Sequence, residues 1–288
     1  MKVGLLCSGN LGYAALKYIQ EFYELCFVCT DKGSNSIKEL CSTDGILCYV
    51  GNPRGGRVLT FIDGIEIDVL VSINYLFLIE EDLISLPKIL AFNIHGSLLP
   101  KYRGRTPHVW AIINGETETG ITAHKIEVGC DTGPIIAQVK IPISDRDTGA
   151  TILNKYIQEY IPLLDRVLLE VKEGRWVPKV QDEEKATYFG KRTPEDGEID
   201  WEWQKERIKN WVRAQADPYP GAFTWISGEK LIIDEITFSD HGFSQEMPNG
   251  LVLRHEPDVL VKVPNGVIKL TKIRGAKSLL INKTILGK

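Results

Sequence analysis

No window of this chain approaches the roughly 20 apolar residues that a helical membrane span needs. The opening run MKVGLLCSGN meets Gly4 and Gly9 at once and shows no small-residue cleavage site, so no leader peptide is expected. A surplus of positive charge is also missing. The formal net charge is -4, and acids and bases nearly balance from Phe189 onward. A nucleic-acid binder would carry a clear basic excess somewhere, so no nucleic-acid partner is expected. Paired cysteine clusters at zinc spacing are lacking too. Cys26-Phe27-Val28-Cys29 lies inside an apolar, strand-like run, has no second pair, and does not open a helix as a redox motif would. The cysteines therefore read as reduced, small hydrophobes, which suits a cytoplasmic setting. His95, His108 and His124 have no metal-ligand spacing, and no metal is expected. Internal repeats, low-complexity tracts and heptads are absent.

What is present alternates. The 288 residues suffice for two domains. Short β-rich runs at 2–7, 25–30, 45–50, 68–73 and 89–94 are interleaved with helical patterns at 9–23 and 80–85. Two more β-runs at 120–126 and 134–141 precede a long amphipathic helix over 149–174, bent at Pro162. This order predicts an α/β fold: a Rossmann-like, mainly parallel sheet flanked by helices. A polar linker at 181–185 follows. Beyond it a helix near 204–216 leads into several short β-runs with Gly-, Pro- and Asn-bearing turns, the pattern of a small β-rich domain, a barrel or a sandwich. The expected division is a catalytic domain over 1–190 and, over 191–288, a connecting segment, helix and β-rich domain.

The chemistry concentrates between positions 93 and 134. Asn93 and His95 are two apart on one strand, so their side chains share a face. They end a strand of a parallel sheet, where ligands of open α/β sheets bind. Gly96 and Pro100 then force an irregular loop. Downstream, Gly129-Cys130-Asp131-Thr132-Gly133-Pro134 makes a tight turn with an acid at its tip. An amide, an imidazole and a carboxylate suit acyl transfer to an amine. Asn93 or a protonated His95 can donate to the developing oxyanion. His95 can relay the proton that the amine loses, and Asp131 can orient the ring and support its charged form. Taken singly, Asn-x-His at a strand end and Asp-Thr-Gly in a turn are ordinary packing and capping features.

The linked strings are more specific. Asn93-Ile94-His95-Gly96-Ser97-Leu98-Leu99-Pro100, Tyr102-Arg103-Gly104, Gly115–Thr122 and Asp131-Thr132-Gly133-Pro134-Ile135-Ile136-Ala137-Gln138 resemble the folate-dependent formyltransferase family. The resemblance covers about the first 190 residues. It implies that Asn93, His95 and Asp131 form the catalytic triad, that 10-formyltetrahydrofolate is the donor, that no metal is needed, and that the protein is a homodimer. It also implies a pterin cleft beside the triad, mapping onto Asn74-Tyr75-Leu76-Phe77-Leu78 and onto Val128 and Gly129. Leu76 and Phe77 could equally be core residues.

Within that family, the segments Lys191–Trp201, Trp211–Ala214 and Asp217–Phe223 resemble the sugar N-formyltransferase branch. That resemblance implies an acceptor amine on a UDP- or dTDP-linked amino-deoxysugar destined for surface polysaccharide or glycan. Arg103, Arg105 and Arg192 are candidates for the diphosphate, since guanidinium forks suit phosphate oxygens. Trp201, Trp211 or Tyr219 could stack on a base or sugar, or simply pack between domains. The alternative is a methionyl-tRNA formyltransferase, which would need a larger, more basic C-terminal domain. A Rossmann oxidoreductase rests only on the incomplete glycine pattern Gly9-Asn10-Leu11-Gly12 and on Asp31. A non-catalytic sugar-nucleotide sensor would have lost part of the triad.

Overall fold

The run Val3-Gly4-Leu5-Leu6-Cys7 is apolar throughout, as a strand covered on both faces should be. The computed structural model describes residues 1–275 and 277–287. In it this run is β1 (Lys2–Cys7), with every residue after Lys2 buried. The chain continues through α1 (Gly9–Phe22), β2 (Glu24–Thr30), α2 (Asn35–Thr43), β3 (Cys48–Val50) and α3 (Arg57–Phe61). Next come β4 (Val69–Ile73), α4 (Glu81–Ile84), β5 (Leu90–His95), β6 (Arg103–Gly104), α5 (Pro107–Ile113), β7 (Glu118–Lys125), β8 (Ile135–Pro142) and α6 (Gly149–Lys172). After β9 (Tyr188–Phe189), α7 (Lys205–Ala214) leads into β10 (Ala222–Ile226), β11 (Glu229–Ser239), β12 (Val252–Arg254), β13 (Val259–Val263) and β14 (Gly266–Gly275).

The larger sheet has the order β3-β2-β1-β4-β5-β7-β8. β3 to β5 pair in parallel, and β7 joins antiparallel to β5. This is the mainly parallel, helix-flanked sheet expected from the sequence. Apolar residues at alternate strand positions divide between its faces. Leu6, Phe27 and Leu70 pack with Val58 of α3 and Leu83 of α4, while Gly12 of α1 packs against Cys7. α6 continues through Pro162. The hydrogen bond lost there is offset by burial of Tyr156, Tyr160, Leu163, Leu164 and Val167 on its inner side. The helices α2 and α5 carry too short a periodic signal to be foreseen. α2 buries only Ile37 and Cys41.

Two compact units emerge. One comprises residues 1–104, 120–141 and 155–189; the other comprises 105–119, 142–154 and 190–288. The chain thus passes between them several times. In the second unit β10 to β14 form a five-stranded antiparallel sheet of order β10-β11-β14-β13-β12. Its two edges are joined by the C-terminal segment. Val252 donates to the carbonyl of Thr284 and Leu286 to that of Gly250, while Gly287 donates to Trp225 of β10. Of the two β-architectures expected, the sheet closed in this way is barrel-like. A bulge in β11 near Asp234 accompanies a two-bond fork from Arg274 to that buried carboxylate, at 2.6 and 2.8 Å.

Trp201 anchors this unit's core. It is 5% exposed, packs among Ile199, Ala222 and Leu286, and donates from its indole to Thr224 Oγ1 at 2.9 Å. Removing a buried indole leaves a cavity and an unpaired hydroxyl. Trp201→Ala is therefore expected to destabilise the protein by about 3–5 kcal/mol. The measurement is a urea midpoint against wild type, and a loss below about 1 kcal/mol would show that the ring anchors nothing.

Candidate active site

β5 ends in Asn93-Ile94-His95, and β7 runs beside it in a register that sets Asn93 opposite His124 and His95 opposite Thr122. Directly opposed residues of an antiparallel pair share a face. The two polar residues of β5 therefore meet a second histidine. His124 Nδ1 lies 2.9 Å from the Lys125 carbonyl, which can only accept, so this nitrogen carries a proton. In the neutral ring Nε2 is then an acceptor, and it receives the Asn93 amide at 3.1 Å. That bond fixes which way the Asn93 amide points. Its second N–H remains available to a ligand oxygen.

A backbone carbonyl fixes the His95 tautomer as well. Its Nε2 lies 2.8 Å from the carbonyl of Tyr102 and must donate there. In the neutral ring the lone pair sits on Nδ1, which faces Asp131 Oδ2 at 3.5 Å. The hydrogen bond that orients the ring thus comes from Tyr102, while Asp131 stands where it can stabilise a proton arriving on Nδ1. Burial pushes the His95 imidazole below its ordinary value, with His124 adding to the effect, and Asp131 and the Tyr102 carbonyl opposing it. The ring is neutral, and so able to accept a proton, at neutral pH.

Asp131 is built to stay ionised. Burial alone would raise its carboxyl, but His95, His124 and the Gly104 N–H outweigh it and hold the group well below the usual carboxylate range. Gly104 donates to Oδ2 at 2.9 Å, and His124 Nε2 lies 3.5 Å from Oδ1. Two glycines make this approach possible. Gly104 has φ +100°, and a Cβ there would overlap the Phe189 carbonyl of β9. At Gly133 a Cβ would collide with the Lys125 carbonyl at the end of β7.

The structure thus brings Asn93, His95 and Asp131 together and adds four residues that the sequence did not single out for roles here: Tyr102, Gly104, His124 and Gln181. His124 was legible only through strand register. Gln181 lay in a segment read as a linker, yet its amide donates to the carbonyls of Asp131 and Gly133.

Two expected ligand contacts are corrected. Arg103 does not reach for a diphosphate. Its side chain is fully buried, and its five N–H donors are taken by Gln181, Glu183 and Tyr188. Trp201 cannot stack on a base, because its ring is core. Arg105 is exposed. Arg192 lies over the rings of Trp110 and Trp211, 5.0 and 4.3 Å from their centroids, and donates to the Asp196 carbonyl and to Gln215. Tyr219 shares a 3.0 Å hydrogen bond with His108. In the loop after β4, Asn74 donates to the Ser8 carbonyl. Tyr75 packs on the core and edge-on to Phe77, while Leu76 and Leu78 point outward at 45% and 64% exposure. Val128 is 77% exposed, and Gly129 beside it has φ +151°. Asp31 is occupied by its own turn, accepting from Gly33 and Ser34. Among the described residues no cluster of three or more His, Cys, Asp or Glu could hold a metal ion. None of their helices is long and apolar enough to cross a membrane.

A seven-stranded α/β sheet carrying an amide and a neutral imidazole at the end of β5, faced by an ionised acid from the turn between β7 and β8, defines the class. Residues 56–168 match the formyl transferase family model, and residues 191–286 match the model of the formyl transferase C-terminal domain. The chain belongs to the formyl transferase family. Its fold is similar to that of the N-formyltransferase from Helicobacter canadensis solved with folinic acid and dTDP-3-aminofucose: 20% identity, TM-score 0.74, 94% of this chain and 99% of that one. It is also similar to WlaRD, a sugar 3N-formyl transferase solved in the presence of dTDP and 5-N-formyl-THF, with 21% identity, TM-score 0.71 and coverage of 94% and 98%. For the methionyl-tRNA formyltransferase of Clostridium thermocellum the values are 18%, 0.57, 92% and 100%.

The His108–Tyr219 pair carries a pH signature. Burial pushes the His108 imidazole down to about 4 from its ordinary 6.5. Between those values the unfolded chain binds a proton that the folded protein refuses, so stability falls as pH drops through this window. His108→Gln is expected to flatten the decline in Tm between pH 6.5 and 4. Parallel curves for variant and wild type would show that His108 does not govern it.

Proposed function

We propose that this protein transfers the formyl group of 10-formyltetrahydrofolate to the amine of a UDP- or dTDP-linked amino-deoxysugar. The observation that carries the reading is the convergence of Asn93, whose amide is oriented by His124, with a neutral His95 and an ionised Asp131. As the amine lone pair attacks the formyl carbon, a carbon–nitrogen bond forms and the carbonyl electrons move onto oxygen. Asn93, tied to His124 by one amide hydrogen, donates the other to that oxyanion. His95 Nδ1 takes the proton that the amine loses, and Asp131 stabilises the resulting imidazolium. Collapse breaks the bond to the folate nitrogen, which leaves with a proton, and His95 returns to neutral.

The donor site is assigned to the loop 74–78 together with Val128 and Gly129. Exposed apolar side chains at Leu76, Leu78 and Val128 suit the flat face of a pterin. Arg105 is the remaining candidate for the diphosphate, with Arg192 and Tyr219 on the acceptor side. A nucleotide-sugar acceptor is supported by the two sugar-amine neighbours and by a second unit without basic surplus, which also disfavours the tRNA reading. The proposed setting is a cytoplasmic homodimer serving polysaccharide or glycan biosynthesis, with domains dividing near residue 190.

Asn93→Ala and His95→Ala are each expected to lower kcat by about two orders of magnitude or more. Near-wild-type turnover would remove that residue from the mechanism. Arg105→Ala should raise the acceptor KM more than it alters kcat, and an unchanged KM would move the phosphate site elsewhere. The acceptor is identified by offering 3- and 4-amino sugars on UDP and dTDP, with initiator methionyl-tRNA beside them. Formylation of the tRNA alone would overturn the sugar reading.

A further inference from the structure

Asp131 occupies a backbone conformation that L-residues avoid. Its φ is +56°, in the left-handed region where non-glycine residues persist only when their surroundings over-determine them. Its carboxylate is held by Gly104, but a bond to the carboxylate does not hold the turn. The turn is gripped from the other side. Gln181 Nε2 donates to the carbonyl of Asp131 at 2.8 Å and to that of Gly133 at 2.6 Å. Gln181 is only 6% exposed, and its Oε1 accepts from Nε and Nη2 of Arg103 at 3.2 and 2.8 Å. Both ends of the amide are therefore committed. Reversed, it would set oxygen against two carbonyls and nitrogen against a guanidinium, so the orientation is locked.

Arg103 is a fixed point. Glu183 takes one N–H from each terminal nitrogen, and Tyr188 takes another. Its chain neighbours are the two backbone groups that hold the reacting side chains: the Tyr102 carbonyl on His95 and the Gly104 N–H on Asp131. A single three-residue stretch thereby fixes the imidazole and the carboxylate directly, and the turn through Gln181.

We propose that Gln181, held by Arg103, is the positioning residue of this site: it clamps the 131–133 turn and so keeps the Asp131 carboxylate facing His95. The assignment rests on the reading of Asp131 as a member of the reacting trio. Gln181 touches no reacting atom; its effect passes through Asp131.

The test is a double-mutant cycle on kcat in the full-length protein, using 10-formyltetrahydrofolate and whichever of the UDP- and dTDP-linked aminosugars turns over fastest. Gln181→Glu keeps the side-chain length and an acceptor for Arg103 but removes both N–H donors. Gln181→Met serves the same cycle if the first variant does not fold, and Tm is recorded throughout. In the wild-type background the substitution should lower kcat about 10- to 100-fold and leave the acceptor KM within about twofold. In an Asp131→Asn background the further loss should be less than about twofold, because a residue acting through another is non-additive with it. An equal loss in both backgrounds, or a loss carried by KM alone, overturns the positioning role while leaving Asp131 in the mechanism. Wild-type turnover by Asp131→Asn itself would instead sink the reading on which the role rests, and the proposal with it.

Discussion

The site depends on the two-residue strand β6 and the residue before it. Tyr102 offers a carbonyl and Gly104 an N–H, and these two backbone groups hold an imidazole and a carboxylate 3.5 Å apart. The geometry is demanding. Tyr102 and Asp131 have positive φ, and for residues with side chains such positions persist only where pairing elsewhere compensates. Here the compensation comes from Thr187 and β9. Thr187 accepts from the Tyr102 and Arg103 N–H groups, and β9 pairs in parallel with β6. A segment two residues long is thus fixed from both sides, and with it the distance between base and acid.

That distance matters because both groups are kept deprotonated, the ring neutral and the carboxylate charged. Burial keeps His95 neutral, while its surroundings keep Asp131 ionised. In the proposed mechanism, proton transfer from an amine to Nδ1 creates charge beside an anion already in place, so little reorganisation accompanies the step. Asn93 is prepared in the same manner. Its amide is turned by His124, whose own tautomer is set by the Lys125 carbonyl. Each of these three side chains therefore answers to a backbone group, directly or through one intermediary. Backbone partners do not titrate, and they hold position as pH changes.

The parts of this that were legible in the sequence share a property: they depend on local spacing. Asn93 and His95 reveal a common face because strand side chains alternate, and the Asp131 turn announces itself through its glycines. The sheet showed through its apolar runs. His124 was hidden because strand register is not local. Gln181 was hidden because a polar residue ahead of Asp182, Glu183 and Glu184 looks like a solvated linker, although Arg103 draws it inside. Arg103 misled in the opposite sense. Beside Arg105 it resembles half of a phosphate clamp, and only its burial shows all five donors spent. Trp201, set among acids in the sequence, is core for the same reason: long-range packing overrides the character of the neighbouring positions.

The protonation state of His95 is the most direct point of attack. Long-range imidazole 15N NMR of the protein at pH 7 should find the ring neutral, with its proton on Nε2. The titration midpoint should lie below the ordinary 6.5, moving lower still in Asp131→Asn. A proton on Nδ1 of the neutral ring, or a midpoint above 6.5, would contradict the assignment of His95 as the group that receives the amine proton.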